Sequence, residues 1–500
     1  MLLTKKENIG YLHKDMYLTK VIIIMFSLFV IYITLCLFYR SLLEIPIMYN
    51  EGWNAGLLSN WVYSGKLYYE PSEFIVNNYP PISFIINRFI LTFLHDAIFS
   101  GRLTSALSFV ACAFLIMRII KYITNNNYSA FLSCLIFIGF IDINDNLYVA
   151  SNDPQMLSLA INLLGLYVFI ILLTQEEKTI LYFIVSFIFV FALFIKHNSV
   201  AMPLAVAVWL IIYKRSAFFI YSISGLIISF CFFAVFDYTF GTFFINGIFS
   251  PRQYSLHRLF RLLIPNLSPI LPVAIFAVMP NFLLKYNKFT VLFTIYVGLA
   301  LFIGAFELGG DGTGSNALFE LILASSLGCG MLAATFNKIP ENFGGLYNWS
   351  VISIIISIVI TPGMVESKSF LRTSEWIKEI QNKEITIFNI INIIKSTKGD
   401  ALCETNTFCY WSGKKFSFDR FNFSQKLLFN SGIKEKLLCD IIKGKYSVIE
   451  FDKYDDIYSM EYQISSVSDC SREQEIKFIL NNKYKKITFP GSDIVLFIKS

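Results

Sequence analysis

The sequence is poor in charge and lacks the signatures of several common protein classes. Only 15% of its 500 residues are Asp, Glu, Lys or Arg, against roughly a quarter in soluble proteins. It has no Cys/His spacing of a zinc site, no GxSxG elbow and no dinucleotide fingerprint behind a strand. The net charge of +6 is spread along the chain, without the basic block that binds nucleic acid. These absences argue against a soluble enzyme of those classes and against a nucleic-acid partner.

Apolar runs of about 20 residues recur instead, the length that a hydrocarbon core of roughly 30 Å requires of a crossing helix. The chain is 55% hydrophobic and contains 51 Phe. We therefore expect an all-α polytopic membrane protein. Internal repeats, which are common in transporters, are absent. The sequence predicts about eleven transmembrane helices, over residues 21–38, 103–121, 128–143, 154–173, 180–195, 200–213, 217–236, 269–284, 289–305, 317–335 and 346–360.

The distribution of basic residues predicts the sidedness of these helices. Four lysines precede the first apolar run (Lys5, Lys6, Lys14 and Lys20), and no small-residue cleavage site follows it. We expect a retained first helix with a cytoplasmic N-terminus. The short turns on the same predicted side also carry Lys or Arg, as the positive-inside rule requires. An odd number of crossings then leaves the chain after Thr361 outside, which is the periplasm if this multi-pass protein lies in the inner membrane of a Gram-negative bacterium.

Hydropathy changes sharply near Gly363, which predicts a transmembrane domain over residues 1–362 and a soluble periplasmic α/β domain over residues 363–500. In the second segment a helical pattern ends near Lys398. "DALCET", "YSVIEFD" and "DIVLFIK" then have the composition of strands, with helical stretches over residues 425–443 between the first two. Four of the nine cysteines lie here. Their spacing allows a Cys403–Cys409 bridge without requiring one.

The first predicted outer loop, about residues 39–102, is long and rich in aromatic residues. It contains an amphipathic segment over residues 51–64 and a second helix that Pro80 and Pro81 would start. Aromatic residues at this level are typical of the membrane–water interface. We therefore expect interfacial helices that lie on the membrane surface instead of crossing it.

Two acids beside the apolar spans are candidates for chemistry, because acids near the bilayer are costly to keep. Glu51 stands in "MYNEGWNAGLLSNW" after the first span, and Asp153 stands in "VASNDPQM" between the third and fourth. Both fall on the outer side at similar depth, so they can converge on one site. The structural alternatives are an acid at a helix dipole for Glu51 and an N-cap before Pro154 for Asp153. A divalent metal between the two acids is a further alternative, although no ligand set demands one.

Basic and polar residues of the later outer loops form a second set of candidates. "FIKHNSV" contains Lys196 and His197, and "FSPRQYSLHRLFR" contains three arginines, Arg252, Arg258 and Arg261. Guanidinium groups bind phosphate in a bidentate manner, and the alternative is contact with anionic lipid headgroups. The loop "FELGGDGTGSNALFE" adds Asp311 and Asn316 but lacks the Gly-Lys-Ser/Thr ending of a nucleotide-binding loop.

The order of these elements resembles the GT-C glycosyltransferases, the multi-span family that includes protein O-mannosyltransferases and the lipid A aminoarabinose transferase. The motifs that carry the resemblance fall within about residues 20 to 335, and they are closest to the bacterial "NEGWNA" subgroup. They are "YNEGWNA", "SGKLYY", "NNYPPISF", "SNDPQ", "KHNSVAMPLA" and "GTGSNALFE". Many relatives have Asp-Glu where this chain has Asn50-Glu51, so the role of the catalytic acid falls to Glu51 or to Asp153.

The resemblance implies an inverting sugar transfer from a polyprenyl-phosphate donor to an envelope glycan or lipid acceptor. Glu51 or Asp153 would act as the general base. The residues expected at the donor phosphate are Lys196, His197, Arg252, Arg258 and Arg261. The residues expected at the substrates are Asn50, Trp53, Asn54, Tyr79, Asn152, Asp311 and Asn316. A glycan polymerase and a flippase of lipid-linked sugars are the competing interpretations.

Overall fold

The computed structural model describes residues 3–175, 178–283, 287–336, 372–428, 432–451 and 483–499, together with 354–356, 359 and 370. Its first part is built of helices. They are α1 (Leu3–Ser41), α2 (Tyr49–Ser64), α3 (Ile82–Leu94), α4 (Ala97–Thr124), α5 (Asn127–Asn144), α6 (Gln155–Thr174), α7 (Tyr182–Leu193), α8 (Ala201–Tyr213), α9 (Arg215–Phe240), α10 (Phe243–Ile248), α11 (Leu256–Leu267), α12 (Leu271–Val278), α13 (Pro280–Leu283), α14 (Lys288–Glu307) and α15 (Phe319–Phe336).

Seven helical segments in the described ranges are long and apolar enough to cross a membrane, which confirms the predicted polytopic architecture. They are Val21–Ser41, Ala97–Thr124, Asn127–Asn144, Gln155–Thr174, Arg215–Phe240, Lys288–Glu307 and Ser315–Thr335. An eighth would be the pair Leu256–Leu267 and Leu271–Phe282, whose axes differ by 68°. Seven of the eleven predicted spans thus match long helices, and the span over residues 269–284 is part of a bent pair.

The other predicted spans differ. Those over residues 180–195 and 200–213 correspond to α7 and α8, which have only 12 and 13 residues and are shorter than the usual crossing length of about 17–25 residues. Both pack inside the bundle, α7 against α6 and α9, and α8 against α14. The last predicted span, 346–360, lies outside the described residues except at 354–356 and 359.

Side-chain caps and burial explain where the bundle helices begin and which of them lie inside. Asp96 caps α4 by accepting hydrogen bonds from the N–H groups of Ile98 and Phe99, and Asn126 caps α5 in the same way. The most buried span, Ser315–Thr335, packs against α5, α12 and α14, whereas α9 has only three buried residues, Ala217, Tyr221 and Phe236. The exposed α9 side chains are mostly apolar, as expected of a helix that faces lipid.

The C-terminal region is a small α/β structure, as predicted. It consists of α16 (Thr373–Ser396), β1 (Asp400–Cys403), α17 (Asn406–Trp411), α18 (Arg420–Leu427), α19 (Gly432–Ile442), β2 (Tyr446–Phe451), β3 (Tyr484–Thr488) and β4 (Val495–Lys499). The sheet order is β1-β2-β4-β3, with β1 and β2 parallel and the other neighbours antiparallel. The sequence did not predict α17 or β3, and the helical stretch over 425–443 divides into α18 and α19.

Cys403 and Cys409, whose pairing the sequence left open, form a disulfide with 5.8 Å between the Cα atoms. The hydrophobic core is continuous between the two parts of the chain. Buried side chains of α16, β1 and β2 belong to the same apolar cluster as those of the bundle. A second cluster, centred on the sheet, includes Phe74 of the first outer loop. The two predicted domains therefore share packing surfaces, and their boundary at residue 362 stays a prediction.

Candidate active site

The motifs "YNEGWNA" and "SNDPQ" meet side by side at the start of α2 and of α6. The Asn50 side-chain amide donates to Asp153 Oδ2 at 2.8 Å. The backbone N–H of Asn152 donates to Glu51 Oε1 at 3.1 Å, and the Asn54 amide donates to the backbone carbonyl of Asn152 at 2.8 Å. Neighbouring residues of one motif thus bind neighbouring residues of the other, which fixes the two acids relative to each other.

Glu51 is fully buried and paired with Arg102 of α4. The guanidinium grips the carboxylate in a bidentate manner, with both contacts at 2.8 Å. The two carboxylate oxygens also accept backbone N–H groups, from Asn152 and from Ile47 at 2.8 Å. All four lone-pair positions of this carboxylate are thus filled, by partners that do not line the cleft described below.

Arg102 is one of the residues of the site that the sequence analysis missed. Its remaining N–H groups donate to three backbone carbonyls of the segment before α2, at Ser41, Leu43 and Ile45, over 2.6–3.0 Å. The side chain therefore fastens the end of α1 to the start of α2. An arginine inside the apolar sequence of α4 is the signal that could have revealed it, because ionised groups in spans are rarely without partners.

Asp153 makes a different ion pair, with Lys196. The Lys196 ammonium donates to Asp153 Oδ1 at 2.9 Å, and both side chains are almost completely buried. The same oxygen accepts the backbone N–H of Gln155 at 2.8 Å, at the start of α6. Tyr79 also hydrogen-bonds to Asp153, and its ring centre lies 5.3 Å from the Lys196 nitrogen. Burial raises the pKa of Tyr79 well above its usual value, so its hydroxyl keeps its proton unless a base accepts it.

A cleft of about 510 Å³ opens directly in front of this acid. Three of its lining residues, Asn50, Tyr79 and Trp53, belong to the predicted substrate-binding set, and the first two touch Asp153. The rings of Trp53 and Tyr79 pack edge to face at 4.8 Å. The remaining lining residues are Met48, Tyr49, Asn78, Tyr148, Arg252, Arg258, Gly312, Thr313, Gly314, Arg420, Phe421, Asn422 and Ser424.

The other predicted substrate residues lie around the cleft and do not line it. Asn54 and Asn152 are buried behind its wall, where they join α2 to the start of α6. Asp311 accepts a hydrogen bond from Gln425 at 3.2 Å. Asn316 binds Tyr148, itself a lining residue, at 2.9 Å. These contacts hold the walls of the cleft in place.

Only two of the five predicted phosphate-binding cations line the cleft. Arg252 is exposed there, with its guanidinium carbon 5.4 Å from the Phe421 ring centre. Arg258 donates to the carbonyls of Gly310 and Thr313 at 3.2 and 2.9 Å, and so shapes the glycine-rich loop. Lys196 instead forms the ion pair with Asp153. Two more, His197 and Arg261, are exposed and are not among the lining residues.

The C-terminal region supplies one wall of the cleft, through the residues 420–422 and 424 at the start of α18. Tyr49 of α2 donates its hydroxyl proton to Asp419 at 2.6 Å, and the same hydroxyl accepts the N–H of Phe421 at 3.2 Å. Burial raises the pKa of Asp419 above its usual value. Asp419 also caps α18 by accepting the N–H of Asn422. The sequence analysis did not include this wall, although Asp419 ahead of a helical pattern is an N-cap signal.

A shared metal ion does not fit the two predicted acids. Glu51 is neutralised by Arg102 and Asp153 by Lys196, so neither presents a carboxylate oxygen without a partner. In the described ranges no group of three or more His, Cys, Asp or Glu side chains is placed to hold a metal ion. We therefore derive no chemical step through a metal.

Comparison with known proteins gives a structural match without a sequence match. No family model matches the chain, and no curated protein matches its sequence. The chain is similar to the crystal structure of ArnT from Cupriavidus metallidurans bound to undecaprenyl phosphate, with a TM-score of 0.58 and 10% identity. ArnT in the apo state gives a TM-score of 0.57, also at 10% identity. Both alignments cover 94% of this chain and 97% of the other. The chain thus has the fold of ArnT.

Proposed function

We propose that this protein transfers a sugar from a polyprenyl-phosphate donor to an envelope glycan or lipid acceptor at the outer face of the bacterial inner membrane. The observation that carries the proposal is a cleft that has arginines on its surface and a buried, lysine-paired acid directly behind its wall. A phosphate-bearing donor needs the first feature and a hydroxyl acceptor needs the second. The ArnT fold supports the lipid donor, since that structure holds undecaprenyl phosphate.

Asp153 is the better base of the two predicted acids. Glu51 has all its acceptor positions filled by Arg102 and by backbone N–H groups. Asp153 instead contacts two residues that line the cleft, Asn50 and Tyr79. The buried Lys196 ammonium compensates the charge of the carboxylate at Oδ1, while Oδ2 accepts from Asn50 of the cleft lining. In this proposal Glu51 positions α2 and Asp153 accepts the proton.

The proton would travel through Tyr79. As the acceptor hydroxyl oxygen attacks the anomeric carbon, its proton passes to the Tyr79 oxygen, and the Tyr79 proton passes to the Asp153 carboxylate. The bond between the anomeric carbon and the phosphate oxygen breaks at the same time, with inversion. The high pKa of Tyr79 is consistent with a hydroxyl that transfers a proton only when a base receives its own. General-base assistance of this kind is typically worth about 10² to 10⁴ in rate.

The departing polyprenyl phosphate would be stabilised by the arginines of the cleft. Arg252 is exposed to the cleft, and Arg258 lies beside it on the glycine-rich loop. Preorganised cations at the position where negative charge develops are usually the largest contribution to such a transfer. Lys196, His197 and Arg261 are left out of this role because the first is paired with Asp153 and the other two do not line the cleft.

The experiment is sugar transfer by the purified full-length protein in lipid nanodiscs, with a radiolabelled polyprenyl-phosphate sugar as donor. Mass analysis of envelope glycans in a deletion strain would first identify the sugar. Loss of one side-branch sugar is the expected result. Accumulation of single repeat units would point to a polymerase, and trapping of lipid-linked intermediates on the inner side would point to a flippase. Either of the last two results would contradict the proposed transfer.

A further inference from the structure

A short helix of the C-terminal region packs directly on the helix that carries the acid motif. A Cβ atom on Gly52 of α2 would overlap the backbone nitrogen of Thr407 in α17. Glycine at this position therefore allows the two helices to touch backbone to backbone. One turn later, a Cβ atom on Gly56 would overlap the ring of Phe416. The C-terminal region thus packs against the glycines of "NEGWNAG".

Two further contacts extend α17 to the start of α4. The backbone N–H of Ala97 donates to the Tyr410 hydroxyl oxygen at 2.6 Å. The Trp411 ring centre lies 5.9 Å from the guanidinium carbon of Arg102, within the range of a cation–π contact. Because Arg102 holds Glu51, α17 covers the ion pair that fixes the first turn of α2.

The Cys403–Cys409 disulfide ties this helix to the sheet. Cys403 is the last residue of β1, Cys409 lies inside α17, and both are buried. The connection between them is also held by the backbone N–H of Thr405, which donates to Glu450 at 2.8 Å. A covalent link over six residues therefore fixes where α17 lies relative to β1, and α17 in turn lies against α2.

We propose that Gly52 and the Cys403–Cys409 disulfide together form a clamp that fixes the position of α2. The clamp thereby keeps Asn50 of α2 in contact with Asp153. The active site is therefore complete only once the two cysteines are oxidised. Oxidation removes two electrons and two protons from the thiols. A disulfide-bearing oxidant of the outer compartment accepts them by thiol–disulfide exchange and leaves as a dithiol. Gly52, Cys403 and Cys409 act as positioning residues, through α2. The clamp depends on the proposed function only for its activity readout.

Hydrogen exchange on the full-length protein in nanodiscs tests the clamp without any substrate. The two clamp variants are Gly52→Ala and the double variant Cys403→Ala/Cys409→Ala. Each has a matched control: Gly298→Ala, where an added Cβ meets open space, and Cys231→Ala, a free exposed cysteine. We expect amide exchange across Tyr49–Ser64 to rise more than about ten-fold in both clamp variants and in neither control. Unchanged exchange in the double variant would overturn the clamp.

Steady-state kinetics on the same four variants tests the positioning role. A displacement of about 1 Å at a reacting group costs on the order of 10²-fold in rate, so kcat per folded molecule should fall by about that factor in the clamp variants, with KM for the donor unchanged. A merely structural role would lower the amount of folded protein and leave kcat per folded molecule at the wild-type value, which would contradict the proposal. If the wild type itself transfers no sugar, the proposed function fails, and hydrogen exchange still decides the clamp.

Discussion

The protein contains two buried ion pairs next to each other, and the two acids differ in their other hydrogen-bond partners. Glu51 and Arg102 form a bidentate pair whose remaining hydrogen-bonding groups are all used by backbone N–H and carbonyl groups. Asp153 and Lys196 form a single contact, and Asp153 reaches the cleft through Asn50 and Tyr79. A planar arginine with every donor engaged fixes a backbone, whereas Lys196 compensates the charge at Oδ1 and leaves Oδ2 to Asn50, a residue that lines the cleft. Under the proposed function, Glu51 is therefore the positioning acid and Asp153 the reacting one.

The largest effect is expected at the first pair. Arg102→Ala leaves the Glu51 carboxylate buried without a counter-charge, which should cost about 3–5 kcal/mol of unfolding free energy. Thermal unfolding followed by size-exclusion chromatography would measure it. Removing both partners, in Arg102→Met/Glu51→Leu, should cost less than the single change, because no buried charge is left alone. Equal losses in the single and double variants would contradict the assignment of Glu51 and Arg102 as a structural pair.

The second pair should respond in activity instead of stability. Asp153→Asn/Lys196→Gln removes both charges together, so the protein should accumulate in the membrane and remain folded. Its rate of sugar transfer should fall by about 10² to 10⁴, the usual worth of a general base. Transfer assays on equal amounts of folded protein would measure this. A double variant that transfers sugar at the wild-type rate would show that Asp153 is not the base.

A smaller effect is expected from the arginines. Arg252→Ala should weaken binding of undecaprenyl phosphate about ten-fold or more, since a hydrogen bond to a charged group is worth roughly 1.5–3 kcal/mol. Arg261→Ala is the matched control, because Arg261 is exposed and does not line the cleft. Equilibrium binding at constant ionic strength would compare the two variants. Equal losses from both would indicate a general charge effect on the lipid headgroup and would contradict a specific site at Arg252.

The smallest effect is expected in the pH dependence of stability, at Lys426. This lysine joins α18 to the first outer loop by donating to the carbonyls of Pro71, Glu73 and Ile75. Burial lowers its pKa to about 8 from 10.5. The unfolded chain therefore binds more protons than the folded one between about pH 8 and 10.5, so folding stability from this group rises with pH over that window.

The measurement is the Tm of wild type and of Lys426→Gln from pH 7 to pH 10. The Tm of the wild type minus the Tm of Lys426→Gln should increase as the pH rises. Lys485→Gln, which changes an exposed lysine on β3, should leave the difference from wild type constant. A wild-type advantage that shrinks with rising pH would show that the sign is wrong.

Much of the fold was predictable, because long apolar runs have few ways to be satisfied in a membrane. The spans of α4, α5, α6, α9 and α14 follow directly from hydropathy. The two short helices α7 and α8 were harder, since a hydropathy pattern gives the apolar character of a segment and not its helical length. The strand β3, "YKKIT", was missed because its two consecutive lysines, both exposed, interrupt the apolar pattern of a strand.

The charged residues of the candidate site were mostly predictable, but which acid pairs with which base was not. The sequence singled out Glu51 and Asp153 because acids beside apolar spans are costly, and Lys196 as a basic residue of an outer loop that could bind phosphate. It did not reveal that Arg102 forms an ion pair with Glu51 and Lys196 with Asp153, because the partners are 51 and 43 residues apart along the chain. It also did not reveal the wall formed by Arg420 and its neighbours, since nothing local indicates that α18 faces the membrane part.

The sequence by itself determined that this chain is a polytopic membrane protein with an α/β C-terminal region, because hydropathy and strand composition are local properties. It also determined which residue types carry charge at the predicted outer surface. Only the tertiary structure decided which acid is held rigidly and which faces the cleft, because that depends on hydrogen bonds between distant segments. The physical reason is the identity of the hydrogen-bond partners: Glu51 is bound by Arg102 and backbone N–H groups, whereas Asp153 is also bound by Asn50 and Tyr79, which line the cleft.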